Sequence, residues 1–398
     1  MPSPKATEDL NPTRRRALKN LAAFLAGSPL LQAQQDPFRD HSRVPGLDEL
    51  KNAFDFEALA FEKLPRQVFN YTAHGTAGEF TVRRNREAFD WVRLVPQALS
   101  GVSEVDASTE VLGTKMKFPI MLSPSAAHNT LHAEGEHGTY EGATNAAGTP
   151  VIISYVTSTP FPEVAEAEGG PLWYQLYPRE DIPENRENLY AAQEAGAEAI
   201  VITVDQEASW YERRLHDRNL SAASRRPRRP SREKPSGAAR YRVTSRRLWY
   251  QWDLFSKLRE YIRVPMVAKG IMTGEDAARC VDEGLDAIMV SNHGGRAMDY
   301  CPSTIEVLPE VVEAVDGRIP VLIDGGFRRG SDILKSLALG ADAVSLGRVP
   351  RWGLAAFGAE GVQRVLEIMQ AELVQAMLAA GCANLAAVND SIVRTDWR

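Results

Sequence analysis

Three stretches of the chain share one grammar: EAGAEAIVITVD at Glu194–Asp205, DEGLDAIMVSNH at Asp282–His293 and LALGADAVSLGR at Leu337–Arg348. In each, a helix-like segment stops at a glycine, an acidic residue and an alanine follow, and an apolar run finishes in polar residues. Glycine accepts the left-handed backbone that ends many helices, and a strand buried on both faces reads as an unbroken apolar run. The order is therefore helix, buried parallel strand, loop, repeated. Gly284 and Gly340 lie 56 residues apart, the length of two βα units in a barrel of about 250 residues and eight units. Gly196 and Gly284 lie 88 apart, so that interval holds an insertion.

The segments PIMLSP (Pro119–Pro124), PVIIS (Pro150–Ser154), LWYQLY (Leu172–Tyr177), PMVAKG (Pro265–Gly270) and PVLIDGG (Pro320–Gly326) bring the expected strands to eight. Eight parallel strands close a TIM (β/α)8 barrel. Thr273 and Ser331 read as N-caps of intervening helices, with acidic residues in the following turn. The competing architecture, an open doubly wound sheet, wants a GxGxxG turn after an early strand, and the sequence has none. With 44% hydrophobic and 25% charged residues and a net charge of -6, the composition is that of a globular protein, not a disordered or nucleic-acid-coating one. No apolar run approaches the ~20 residues that span a bilayer. Cys280, Cys301 and Cys382 are too few and too irregularly spaced for a disulfide framework or a zinc site, and no metal is expected.

In such a barrel, catalytic groups gather where the strands end. Those ends carry Ser123, Ser154, Gln175 with Tyr177, Thr203 with Asp205, Lys269, His293 with Arg296, Asp324, and Arg348, all facing one mouth. After the seventh and eighth strands, DGGFRRGSD (Asp324–Asp332) and LGR (Leu346–Arg348) offer glycine N–H groups, two candidate cations and a helix start near Ser331. That combination makes a phosphate site. Asp205 can charge-stabilise an imidazolium at His293, Arg296 can grip a carboxylate bidentately, and Lys269 can place a fixed positive charge beside an electron-rich ring. Together these groups suggest proton abstraction next to a carboxylate, with electrons passing to a flavin.

The motifs KLPRQVFNYTAHG (Lys63–Gly75), PSAAHNTLHAEGE (Pro124–Glu136), QLY, TVD, VAKGI, SNHGGR, DGGFRRGSD and LGR resemble the FMN-dependent 2-hydroxy-acid dehydrogenase and oxidase family. That family includes glycolate oxidase, lactate oxidase, and the lactate and mandelate dehydrogenases. The resemblance runs from about Pro37 to the C-terminus. It implies FMN as cofactor and oxidation of an L-2-hydroxy acid to a 2-oxo acid, with His293 taking a proton and Asp205 stabilising the imidazolium. Whether hydrogen leaves as hydride or as a proton with a carbanion behind stays open. The resemblance further implies Arg296 and Tyr71 on the substrate carboxylate, Tyr177 near the substrate hydroxyl, and Lys269 at the flavin N1–O2 edge. Ser154, Gln175 and Thr203 would hydrogen-bond the flavin ring, and Asp324, Arg328, Gly347 and Arg348 would hold the ribityl phosphate. Pro124, Ser125, Ala126, Ser291 and Gly326 complete the implied cofactor set. Electrons would pass to oxygen, a quinone or a cytochrome, and a homo-oligomer, a tetramer by resemblance, is implied.

Several segments depart from that pattern. After TVD the family continues with a small residue and proline, where this chain has Gln206 and Glu207. The second arginine of the carboxylate clamp aligns with Arg214 only across a short insertion. Val156 and Ala127 are small, which widens the expected pocket beyond the needs of glycolate. From Arg225 to Arg247 the chain carries nine arginines and one lysine against a single Glu233. This basic inserted loop after the fourth strand, about residues 218–247, is expected to be mobile and is suited to an anionic membrane surface or an acidic electron-transfer partner. Nucleic acid is not expected as a partner, because the chain is acidic overall. Residues 1–35, with Arg14-Arg15-Arg16 before the short apolar segment NLAAFLAGSPLLQAQ, resemble a twin-arginine export signal, with a disordered basic tail as the alternative. Export implies a periplasmic or extracytoplasmic location; otherwise the protein is cytoplasmic or peripheral at the membrane. The expected organisation is thus residues 36–398 as one barrel domain with N-terminal helices over 36–118. Two other functions fit the same residues: a family member recruited for a bulkier substrate such as a modified peptide, and a non-catalytic FMN-binding barrel.

Overall fold

A computed structural model describes residues 44–167, 169–205 and 249–396. The export-like segment, the arginine-rich loop, Gln206, Glu207 and Arg214 lie outside the described residues. The chain divides after Leu50 into two compact units. In the first, a single described 3-10 turn covers Leu47–Glu49, and the Gly46 N–H donates to the Glu49 carboxylate at 2.7 Å.

The second unit is built on a closed barrel of eight parallel strands: β1 Ile120–Leu122, β2 Val151–Ser154, β3 Leu172–Leu176, β4 Ile200–Thr203, β5 Met266–Ile271, β6 Ala287–Val290, β7 Val321–Asp324 and β8 Ala343–Leu346. Every expected strand forms, and β8 closes on β1 with Val344, Ser345 and Leu346 opposite Ile120, Met121 and Leu122. The repeat works as its residues require: Gly196, Gly284 and Gly340 have φ of 93°, 75° and 100°, a backbone that a Cβ would strain. Thr273 caps its helix, its hydroxyl accepting the Asp276 N–H at 3.1 Å. Ser331 does not. That helix runs Gly330–Ala338 with Arg329 at the cap position, because the Asp332 carboxylate reaches back to accept the N–H groups of Arg328 (3.0 Å) and Arg329 (2.9 Å).

Every strand sends a side chain into a shared apolar cluster, among them Met121, Ile152, Trp173, Val201, Val267, Met289, Leu322 and Ala343. An antiparallel ribbon, Thr109–Val111 with Thr114–Met116, adds Val111 and Met116 to that cluster and covers the end where the strands begin. The Trp173 indole N–H donates to the Thr114 hydroxyl at 2.9 Å, so the largest side chain of the floor buries no unpaired donor.

Before the barrel stand helices α1 Ala53–Lys63, α2 Arg66–Ala73 and α3 Phe80–Glu87. Of the expected helical extension over 36–118, the described part is helical in these segments and not throughout. Val92–Leu94 pairs antiparallel with Val393–Thr395, and the ribbon occupies its last part. A helical run over Arg348–Ala380, broken at Phe357 and Gly358, follows β8. Its Trp352 is fully buried and stacks on Phe69 of α2, ring centroids 5.0 Å apart, which seats α2 beside the open end of the barrel.

Candidate active site

His293 follows β6 and Asp205 follows β4, so the two flank β5 and do not leave adjacent strands. Their side chains still meet, with His293 Nδ1 2.7 Å from Asp205 Oδ1. His293 Nε2 lies 3.4 Å from the Tyr177 hydroxyl. An imidazole held by a carboxylate at Nδ1 presents Nε2 as its proton-accepting atom. The residue has a φ of 59°, a left-handed conformation that costs a β-substituted residue about 1 kcal/mol or more and clusters at functional sites.

Lys269, on the intervening strand, is 3% exposed. Its Nζ donates to Ser291 Oγ at 2.8 Å and lies 3.4 Å from Asp324 and 3.8 Å from Asp205. Burial opposes its charge, but Asp324 and Asp205 outweigh that penalty and hold its pKa above the ordinary lysine value. Burial pushes the Asp324 carboxyl up, Lys269 only partly restraining it, as expected where two carboxylates share one cation. The Ser291 hydroxyl also accepts the His293 N–H at 3.1 Å, tying the lysine to the histidine turn.

A cavity of about 270 Å³ opens at this end. His293, Tyr177, Lys269, Tyr71 and Arg296 line it, as do Pro124, Ser125, Ala126, Ser154, Asp324, Gly326, Arg328, Gly347 and Arg348. The Arg296 guanidinium carbon sits 4.8 Å from the centre of the Tyr71 ring, so the two residues expected on a carboxylate stand together. Gln175 and Thr203 are buried behind the wall, at register positions beside Ser154 and Lys269. Arg348 lines the cavity, but its three hydrogen bonds go to backbone carbonyls: Thr72 at 2.9 Å, Gly294 at 2.9 Å and His74 at 3.2 Å. Burial, with Arg296 and Arg328 nearby, pulls its pKa down to about 9. Gly326 serves the protein's own packing, since a Cβ there would stand 2.0 Å from the Asn85 carbonyl oxygen.

Two features escaped the sequence reading. Arg351, one turn beyond Arg348, also lines the cavity; in a helix it reads as an ordinary surface charge, and only its neighbours in space show otherwise. His128 is buried, its Nε2 2.7 Å from Ser125 Oγ and its Nδ1 2.8 Å from the Thr139 hydroxyl, so it fixes the first loop of the mouth.

The wall leaves buried polar atoms unsatisfied. Gln175 Oε1 accepts from Ser154 Oγ (3.0 Å) and from the Tyr155 N–H (3.3 Å), while Gln175 Nε2 and Asp324 Oδ1 have no partner among the described residues. Such orphans are costly unless a ligand completes them. FMN fits this wall by chemistry: carbonyl acceptors for the Gln175 amide and Lys269, ribityl hydroxyls for Asp324, and a phosphate for Arg328 and Arg348. A charged lysine at the mouth of an eight-stranded barrel, beside arginines and a carboxylate-held imidazole, suits a flavin-dependent oxidoreductase. The FMN-dependent dehydrogenase family profile matches residues 60–395. A peroxisomal (S)-2-hydroxyacid oxidase of Arabidopsis thaliana is 38% identical over 360 residues, covering 88% of this chain and 98% of its own length. An L-lactate oxidase of Nostoc sp. is 37% identical, covering 86% and 97%. A crystal structure of mandelate oxidase superposes with a TM-score of 0.76 at 35% identity, over 87% of this chain and 99% of that one. The chain belongs to the FMN-dependent dehydrogenase family.

Proposed function

We propose that this protein oxidises an L-2-hydroxy acid to the 2-oxo acid. The observation that carries this reading is the juxtaposition, in one cavity, of the His293–Asp205 pair at 2.7 Å with the Tyr71–Arg296 pair. Bound FMN supplies the two-electron acceptor. Arg296 and Tyr71 hold the substrate carboxylate, and the Tyr177 hydroxyl orients the substrate hydroxyl toward His293 Nε2, which takes a proton. Asp205 stabilises the imidazolium that results, and Lys269 keeps positive charge where electrons arrive. Relatives named as oxidases of 2-hydroxy acids and of L-lactate support the substrate class, and support oxygen over a quinone or a cytochrome as acceptor. Val156 lines the cavity and is 50% exposed, which favours an acid larger than glycolate.

The test is the visible spectrum of the purified protein, followed by anaerobic addition of L-2-hydroxy acids from glycolate to mandelate. Bleaching of a bound flavin by one of them is the expected result. A yellow protein that none bleaches would shift the reading to a different oxidisable substrate. A colourless protein that cannot be reconstituted would remove FMN from it.

A further inference from the structure

Among the described residues, the cavity wall holds one more cation than the roles assigned so far use. Lys269, Arg296, Arg328, Arg348 and Arg351 line it. By the function proposed above, the phosphate takes Arg328 and Arg348, the flavin ring Lys269, and the substrate carboxylate Arg296. Arg351 is left over. It is 5% exposed, and its guanidinium donates to the Ala126 carbonyl at 2.7 Å and to the Thr72 hydroxyl at 3.0 Å, both neutral acceptors. Arg328 has Glu57 at 3.4 Å, whereas no carboxylate among the described residues pairs with Arg351. Glu136 acts on it only from farther off, its own oxygens engaged by the Ser158 N–H and hydroxyl. A buried guanidinium served only by neutral acceptors is costly, and an anion entering the cavity repays that cost. Thr72, whose hydroxyl it grips, adjoins Tyr71, and the Tyr71 ring stands against Arg296, so the substrate carboxylate and Arg351 share one side of the cavity.

We propose that Arg351 binds a second acidic group of the substrate, so that the preferred substrate is a 2-hydroxy dicarboxylate. Its C1 carboxylate lies on Arg296 and Tyr71, and its distal carboxylate lies on Arg351. This rests on the 2-hydroxy-acid reading of the site. The guanidinium fork suits bidentate capture of a carboxylate, and a charge-assisted pair of this kind is worth about 10-fold or more in selectivity.

The experiment uses the wild-type holoenzyme. Anaerobic flavin reduction is compared for L-malate against L-2-hydroxybutyrate, and for L-2-hydroxyglutarate against L-2-hydroxyvalerate, pairs matched in chain length. The unreactive D-malate and D-lactate are titrated against the flavin absorbance as a binding readout. A kcat/KM at least about 10-fold higher for the diacids is expected, with tighter binding of D-malate. In Arg351→Met the diacid-to-monoacid ratio should collapse by a similar factor, mainly through KM, with Arg351→Lys intermediate. Monoacids reduced as well as diacids by the wild type would overturn the inference, even if no Arg351 variant folds. A weakened hold on FMN in Arg351→Met with an unchanged ratio would also overturn it, placing Arg351 on the cofactor. A flavin that no 2-hydroxy acid bleaches would instead overturn the proposed function beneath it.

Discussion

Trp173 and Lys269 are both almost wholly buried in the same barrel, one near its floor and one near its mouth. Trp173 belongs to an apolar cluster to which every strand contributes, and its lone donor ends on Thr114. Lys269 lies among two carboxylates and a serine, beside a cavity whose wall leaves Gln175 Nε2 and Asp324 Oδ1 without partners. The floor is complete within the protein, and the mouth is complete only with ligands. Stability and chemistry are thus assigned to opposite ends of one set of strands, the division that barrel architecture permits.

The sharpest way to test that division is to change one residue at each end. His293→Asn removes the imidazole while suiting the left-handed backbone at φ 59°. Anaerobic flavin reduction by a 2-hydroxy acid should slow by about 10²- to 10⁴-fold, with FMN still bound and the denaturant midpoint unmoved. Trp173→Ala should do the reverse, costing about 3–5 kcal/mol in urea unfolding while flavin in the folded fraction is still reduced at close to the wild-type rate. A tenfold slower reduction in Trp173→Ala would break the comparison.

A smaller effect separates the ends by pH. Burial pulls the pKa of His128, beside Ser125 at the mouth, down to about 4 from 6.5, so between those values the unfolded chain binds a proton there that the folded protein does not. The stability held by this group is full above about pH 6.5 and drains away as pH falls toward 4, by roughly 1–3 kcal/mol. Glu136 loses stability in the same direction, its carboxyl held below the usual range by His128 and Ser158 against the opposing effect of burial. His128→Gln should flatten the acid limb of a plot of urea midpoint against pH. An unchanged slope would place the acid sensitivity elsewhere.

The barrel was legible because its signal is repeated: glycine, acidic residue, alanine and apolar run recur, and each recurrence constrains the next. The His293–Asp205 pair was legible through its chemistry, although the order of strands that brings the two together was not. Ser331 was misread because a hydroxyl near a helix start looks like a cap, and nothing in the local pattern says that Asp332 will claim the same N–H groups. Arg348 was expected at a phosphate and lines the cavity, but its bonds to three carbonyls follow from the seating of α2, which no local pattern reports. Arg351 and His128 were missed for the same reason. Their roles depend on burial against segments distant in the chain, and a lone charge on a helix or a lone histidine in a loop gives no sign of that.

Arg348 joins the backbone at Thr72, His74 and Gly294, and Arg351 joins Thr72 to Ala126. The segment bearing Tyr71 therefore leaves the ribosome early, yet the groups that fix it are made only after β8. Synthesis has to run through nearly the whole barrel before these ties can form. A nascent chain truncated anywhere before Arg348 lacks both of them, so the mouth is finished only after the last barrel strand has been made.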